Sequence, residues 1–342
     1  MDDPQALGNR KSEHIRINLE EDVLSSITTG LEKLHFVNQA LPEFDLAEVD
    51  TSTTLFGKKL SAPLLISSMT GGTQEAERIN LHLAQTAQAK SIALGLGSQR
   101  AAIEDPAAVK TYQIRRVAPD ILLFANLGAV QLNYGYDIDQ CRRVVEMVEA
   151  DGLFLHLNAL QEALQPEGDT SFRGLLSKIE QVCKKLSVPV IIKEVGWGIS
   201  GQTARQLVDA GVAAIDVAGA GGTSWSQVEM HRLKDPRRAA IAAAFRGWGI
   251  PTAAAIRQVH QIVPHTPIIG SGGLRSGVDA AKVIALGAAL AGIAGPFLKA
   301  ASRSHEASSA LADDVLSEMR ICMFASGAAS LSKLKETQLV EF

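Results

Sequence analysis

The feature that most limits what this chain can fold into is an alternation. Eight short, nearly continuous apolar runs, at 63–67, 91–95, 122–126, 153–158, 190–193, 214–218, 267–271 and 290–294, are separated by longer segments with apolar residues at helical spacing. Runs such as VPVIIK and PIIGSG lack the polar alternation of a strand with one wet face, so they suit parallel strands covered on both sides. Segments such as AERINLHLAQTAQAK and GVDAAKVIALGA supply the crossover helices that parallel neighbours require. The expected class is α/β.

Glycine and polar clusters decide how the sheet closes. A doubly wound sheet more often carries one glycine fingerprint after its first strand. Here SMTGGT, GLGSQR, ANLGAV, HLNALQE, KEVGWG, AGAGGTSW, GSGGLRSG and AGPF each follow a run. That distribution predicts a (β/α)8 TIM barrel, which assembles its active site from the loops at the C-terminal ends of the strands. The chain, 1–342, then reads as a single barrel domain with 1–60 as an N-terminal extension, and the residues from Phe297 onward as the final helix plus a short tail. At 46% hydrophobic and 20% charged, the chain has the apolar material for such a core. A net charge of -4 provides no global basic surface for nucleic acid or an anionic membrane. Cys141, Cys183 and Cys322 stand too far apart for a CxxC metal site or a disulfide framework, and no run reaches membrane-spanning length, so a reduced cytoplasm is expected.

The chemistry gathers at a few motifs. GSGGLRSG, at 270–277, joins closely approachable glycines to the start of a helix, offering backbone N–H groups and a positive helix end to a phosphate. AGIAGPF adds Ala294 and Gly295 after the eighth run, the second of the two places where barrels build phosphate sites. AGAGGTSW, at 218–225, holds more glycine than a turn needs, with Thr223 as a further donor. Lys193 ends an apolar run, where an ammonium must reach the mouth or find an anion; the plainer alternative is an ion pair with Glu194 or another carboxylate. HLNALQE gathers His156, Asn158, Gln161 and Glu162, and one carboxylate with substrate phosphates is the usual way to hold Mg2+. Ser68, Met69, Thr70, Ser98 and Asn126 bring the neutral lining that a flat heteroaromatic ring needs. RKSEH contributes Arg10, Lys11 and His14, which Arg100 of GSQR can join over the mouth to bind phosphate oxygens. Residues 168–171 are expected to form a mobile loop over the fourth strand.

Taken together, RKSEH, SMTGG, GSQR, ANLGA, HLNALQEALQPEGD, IIKEVGWGIS, DVAGAGGTSW, GSGGLRSG and AGIAGPFL closely resemble the type 2, FMN-dependent isopentenyl diphosphate isomerases, from Arg10 to about Phe297. The resemblance implies FMN against Ser68, Met69 and Thr70, with Ser98, Asn126, Lys193 and Thr223 around it and Gly273, Leu274, Arg275, Ala294 and Gly295 near its phosphate. It implies a substrate diphosphate held by Arg10, Lys11, His14, Ser98, Gln99 and Arg100, with His156 and Asn158 in support. It implies that Gln161 contacts the substrate and Glu162 binds Mg2+; for the chemistry itself, reduced flavin is expected to make the proton transfers with Gln161 as a polar relay. Reduction of FMN by NADPH and a homotetramer or larger homo-oligomer are implied in the same way. The rival reading is an FMN barrel that oxidises a 2-hydroxy acid, which wants a histidine base and paired arginines. After the sixth run this chain has GGTSW, with His231 and Arg232 further on.

Overall fold

A computed structural model describes residues 4–341. Eight parallel strands close into a barrel: β1 (Leu64–Ile66), β2 (Ala93–Gly95), β3 (Leu123–Gly128), β4 (Gly152–His156), β5 (Val190–Lys193), β6 (Ala214–Asp216), β7 (Ile268–Ser271) and β8 (Leu290–Ile293). Closure comes from β8 pairing with β1, Ala291 to Leu64 and Ile293 to Ile66. Each strand falls on an expected run. The one at 122–126 continues to Gly128, because Gly128 still finds a partner in His156. The one at 153–158 stops at His156, because Asn158 turns to begin the helix Ala159–Leu164.

The crossover helices follow their amphipathic spacing. Ile138–Val148 buries Cys141, Val144, Val145 and Val148, and Asp137 and Gln140 start it with a capping box. Past Phe297 the chain forms more than a final helix. Gly295–Arg303 ends where Ser304 turns extended and caps a second helix, His305–Ala325, and Leu331–Glu336 follows. The long helix packs on Gly277, where a Cβ would stand 2.0 Å from the Val315 carbonyl oxygen. That close approach was invisible in a segment read only for periodicity.

Residues 4–60 cover both ends of the barrel. At the top, the helix Pro4–Glu20 buries Ile15 and Ile17, and Ile17 and Val23 pack on Val228. Ser25 N–H then donates to Gly222 at 2.8 Å, and Ala253 N–H to Thr29 at 2.9 Å. At the bottom, the hairpin Thr53–Leu55 and Lys58–Leu60 inserts Leu55 and Leu60 beneath the barrel. His35–Phe36 pairs with Leu339–Val340 and ties the two ends of the chain together.

The barrel interior sets the position of the site. Residues two apart on a strand face the same side. One interior layer is Leu65, Ala93, Phe124, Phe154, Ile191, Ala214, Ile269 and Leu290, a dry plug from all eight strands. Two residues further along each strand come Ser67, Gly95, Asn126, His156, Lys193, Asp216, Ser271 and Gly292. A single step up the barrel therefore replaces an apolar layer with polar side chains and glycines.

Candidate active site

Above that polar layer the strand ends open into a cavity of about 710 Å³, within the range of small-molecule and cofactor pockets. In its floor, His156 Nδ1 lies 2.8 Å from Asn126 Oδ1, and Asn126 Nδ2 donates to Leu96 O at 3.0 Å. Burial, then the charges of Lys193 and Lys11, push the His156 pKa down to about 4. The imidazole is therefore neutral near pH 7 and donates from Nδ1.

Lys193 is 8% exposed and lines the cavity. Its Nζ donates to the Glu194 carbonyl at 2.7 Å and lies 3.8 Å from Asp216 Oδ2. The Glu194 carboxylate is engaged elsewhere: Oε2 accepts the N–H groups of Val195, Gly196 and Trp197 at 2.7, 2.8 and 2.6 Å and shapes the turn after β5. Lys193 thus faces both the mouth and a carboxylate, but that carboxylate is Asp216.

Loops after β6, β7 and β8 form the glycine cradle. A Cβ on Gly222 would stand 2.7 Å from Gly273 Cα, and one on Gly272 would stand 2.1 Å from Gly219 O. Gly222, Thr223, Gly273, Leu274, Arg275, Ala294 and Gly295 all line the cavity. The helix after GSGGLRSG does not present a free N-terminus. Ser276 Oγ accepts from Asp279 N–H, and Glu318 Oε2 takes the Gly277 N–H at 2.6 Å. Gly295–Arg303 has no side-chain cap, so its N-terminus is open to an anion.

Opposite the cradle stand the cations. Arg10 NH1 donates to Gln165 Oε1 at 3.2 Å. Lys11 Nζ donates to Ser98 O at 2.7 Å and to Tyr112 Oη at 2.6 Å. Arg100 bridges Glu104 at 2.7 Å and Asp169 at 2.9 Å. Burial, then Arg10, push the Lys11 pKa down to about 7. The expected mobile loop at 168–171 is instead pinned: Asp169 N–H donates to Glu162 Oε2 at 2.7 Å, and its carboxylate also accepts from Gln131 at 3.0 Å.

Gln161, Glu162 and Asn158 do meet. Asn158 Nδ2 donates to Glu162 Oε1 at 2.7 Å and lies 3.2 Å from Gln161 Oε1. Burial raises the Glu162 pKa above the usual carboxylate range. Gln161 Nε2 donates at 2.9 Å to Glu229 Oε1, a residue that the sequence reading did not pick out. Gln165 Nε2 at 3.1 Å and His14 Nε2 at 3.2 Å reach the same oxygen, while Arg232 NH1 holds Oε2 at 2.5 Å. Glu229 is 0% exposed. Burial alone would raise its pKa, but the hydrogen bond and charge of His14 and the charge of Arg232 hold it at about 2. Gln165 could have been found, four residues after Gln161 at the C-cap of the same helix. Asp216 could also have been found, since AAIDVAG carries the same anomaly as VPVIIK.

Most expected site residues line this one cavity: Arg10, Lys11, His14, Ser68, Met69, Thr70, Ser98, Arg100, Asn126, His156, Asn158, Gln161, Glu162 and Lys193, besides the cradle. Gln99 does not. It is 0% exposed, its Nε2 donates to Val144 O at 2.9 Å, and its Oε1 accepts from Asn126 N–H at 2.9 Å. Both stand beyond the end of β2: Ser98 lies along the cavity, and Gln99, at the N-cap of the helix Arg100–Glu104, turns its side chain into the wall.

The matching family is the FMN-dependent dehydrogenases, over residues 18–153 and 155–341. An isopentenyl-diphosphate delta-isomerase from Nostoc sp. strain PCC 7120 is 54% identical over 330 residues, covering 96% of this chain and 94% of its own. One from Synechocystis sp. strain PCC 6803 is 55% identical, covering 97% and 95%. A solved mandelate oxidase variant with benzaldehyde superposes at a TM-score of 0.69 with 19% identity, covering 99% of this chain and 98% of the other, a likeness of fold alone. By the extent of the family match and the identity to these relatives, the chain belongs to the FMN-dependent dehydrogenase family and, within it, to the type 2 isopentenyl-diphosphate delta-isomerases.

Proposed function

We propose that the protein interconverts isopentenyl and dimethylallyl diphosphate, moving one double bond without net oxidation, with FMN that NADPH reduces and a Mg2+ ion beside the diphosphate. The observation that carries this reading is two anion sites in one cavity: the glycine cradle with its open helix end, and the wall of Arg10, Lys11 and Arg100. One suits the FMN phosphate and the other a substrate diphosphate. Ser67 Oγ, Ser68 Oγ and Asn158 Oδ1 are buried along this cavity without hydrogen-bond partners, as fits a polar ligand that supplies them.

In this reading Ser68, Met69, Thr70, Ser98, Asn126, Lys193 and Thr223 surround the flavin, and Gly273, Leu274, Arg275, Ala294 and Gly295 receive its phosphate. Arg10, Lys11, His14, Ser98 and Arg100 bind the diphosphate, while His156, Asn158 and Gln161 orient the prenyl end. Glu162 is the protein's ligand for Mg2+. No group of three metal-ligating side chains occurs among the described residues, so the cation relies on substrate oxygens. Neutral His156 and ionised Glu229 have no labile proton to give an alkene near pH 7 beyond the imidazole N–H already held by Asn126. Reduced FMN, when bound, supplies the acid–base group for that chemistry. Gln161 is held by a charged carboxylate and steers a proton without giving one up.

The rival oxidase chemistry finds no support. His231 lies 3.9 Å from Glu21, Arg232 is held by Glu229, and neither lines the cavity. No helix among the described residues is long and apolar enough to cross a membrane. A cytoplasmic homotetramer or larger assembly completes the reading, and sedimentation checks its size.

Anaerobic incubation with isopentenyl diphosphate, FMN, NADPH and Mg2+, followed by proton NMR, is expected to yield dimethylallyl diphosphate only when the flavin is reduced. A flavin-loaded protein that makes no product under these conditions overturns the isomerase reading. Lys11 provides a second check. Its depressed pKa rises again when a diphosphate sits beside it, so binding inorganic diphosphate at about pH 8 should take up roughly one proton, and far less at about pH 6. Calorimetry in two buffers of different ionisation enthalpy measures the uptake; none at the higher pH removes Lys11 from the diphosphate site.

A further inference from the structure

Beneath the cavity lining lies a carboxylate that the site assignments above leave unused. Asp216, at the end of β6, is 0% exposed and points into the polar layer of the barrel. Its Oδ1 accepts from Ser271 Oγ at 2.5 Å and from Ala218 N–H at 3.3 Å. Its Oδ2 has no hydrogen-bond partner and lies 3.8 Å from Lys193 Nζ, too far for a hydrogen bond but close enough for an ion pair. Burial raises the Asp216 pKa, and the Lys193 charge and Ser271 hydroxyl oppose that rise. A buried carboxylate with an unused oxygen is costly unless a neighbouring charge makes use of it.

An ammonium has three N–H donors, and Lys193 gives one to the Glu194 carbonyl. The others can serve Asp216 on one side and a ligand in the cavity on the other. We propose that Asp216 is a positioning residue, which shares the Lys193 ammonium with the flavin held in the cavity and so sets the charge that the pocket presents to the reduced ring. This rests on the FMN reading above.

Reduction adds two electrons to the flavin, with either one proton, leaving the ring anionic, or two, leaving it neutral. A lone Lys193 cation favours the anion. Paired with Asp216, the two charges nearly cancel, and the ring keeps its second proton. For an isomerisation that borrows and returns a proton, the doubly protonated ring is the useful form, since it has a proton to lend.

Asp216→Asn keeps the shape and the acceptor for Ser271 while removing the charge. The expected result is a shift of the bound flavin's reduction equilibrium toward the reduced form of about tenfold, near 30 mV for a two-electron couple. The reduced flavin's absorbance should move to that of the anion. In a Lys193→Met background the same substitution should shift the equilibrium less than about threefold, because the effect runs through the lysine. A variant that retains flavin poorly can still be read, since the dissociation constants of oxidised and reduced FMN for apoprotein give the same ratio. An Asp216→Asn shift within about twofold of wild type, or an undiminished shift without Lys193, overturns the proposal. Wild-type apoprotein that binds no FMN in either form instead overturns the cofactor reading on which it stands.

Discussion

Glu229→Gln is expected to lower kcat/KM about a hundredfold while FMN stays bound. The carboxylate touches none of the cradle, but it receives Gln161, Gln165, His14 and Arg232 together. Glutamine brings one oxygen and two N–H groups of its own, so the amides of Gln161 and Gln165 lose a common acceptor and Gln161 is free to flip. Arg232 keeps Glu13 at 3.3 Å and Glu167 at 3.7 Å, both with largely exposed partners. Breaking a buried ion pair typically costs about 3 kcal/mol or more, and the remaining partners of Arg232 place this case near the lower end. Denaturant melts would show the loss as an earlier midpoint, and unchanged flavin absorbance would separate it from a cradle defect. Wild-type kcat/KM in a folded variant would show that Gln161 needs no anchor.

The same residue sets an acid limit. The folded pKa of Glu229 lies below the ordinary carboxylate value, so its stabilisation is complete above about pH 4.5 and fades as pH falls toward about 2. His14 acts in the same direction from higher pH. Burial, opposed by its Glu229 contact, lowers its pKa, so the folded state disfavours protonation once pH falls below about 6.5. In Glu229→Gln the lower part of this acid sensitivity should disappear.

Gly272→Ala is expected to abolish flavin retention and to lower stability by about 3–5 kcal/mol. Gly272 has φ +108, and a Cβ there would stand 2.1 Å from Gly219 O and 2.4 Å from Gly219 N, backbone atoms that no rotamer change can move. Left-handed strain and a backbone clash add at a point where the β6 and β7 loops touch. Gly57→Ala separates the two terms: its φ is +78 with nothing within 4 Å, so only the strain, about 1 kcal/mol, applies there. Thermal melts and flavin absorbance of the two variants test this. A Gly272→Ala protein that melts with Gly57→Ala and holds FMN would mean that the loops can part.

Much of the site could be read from the chain because a barrel sends every strand end to one face. Once eight runs were recognised, residues following them had to share a mouth, and Ser68, Asn126, Lys193, Thr223 and Gly273 do. What periodicity could not separate was inward from outward in the turns beyond the strand ends. Ser98 lines the cavity and Gln99 braces the wall, though both stand in one GSQR motif. Nor could helix-start signals tell a free N-terminus from one that distant Glu318 had already taken.

By itself, the sequence determined the class, the number and order of strands, and the glycines that let phosphate approach, because these depend on local spacing and on backbone freedom. Only the tertiary structure decided which charges face one another. Glu229 reaches Gln161 across 68 positions, Ser271 reaches Asp216 across 55, and Arg10 reaches Gln165 across 155. A carboxylate's role is set by what lies within a few ångströms of it in a medium of low dielectric. Chain closure brings those neighbours together from distant segments, and no local pattern carries that information.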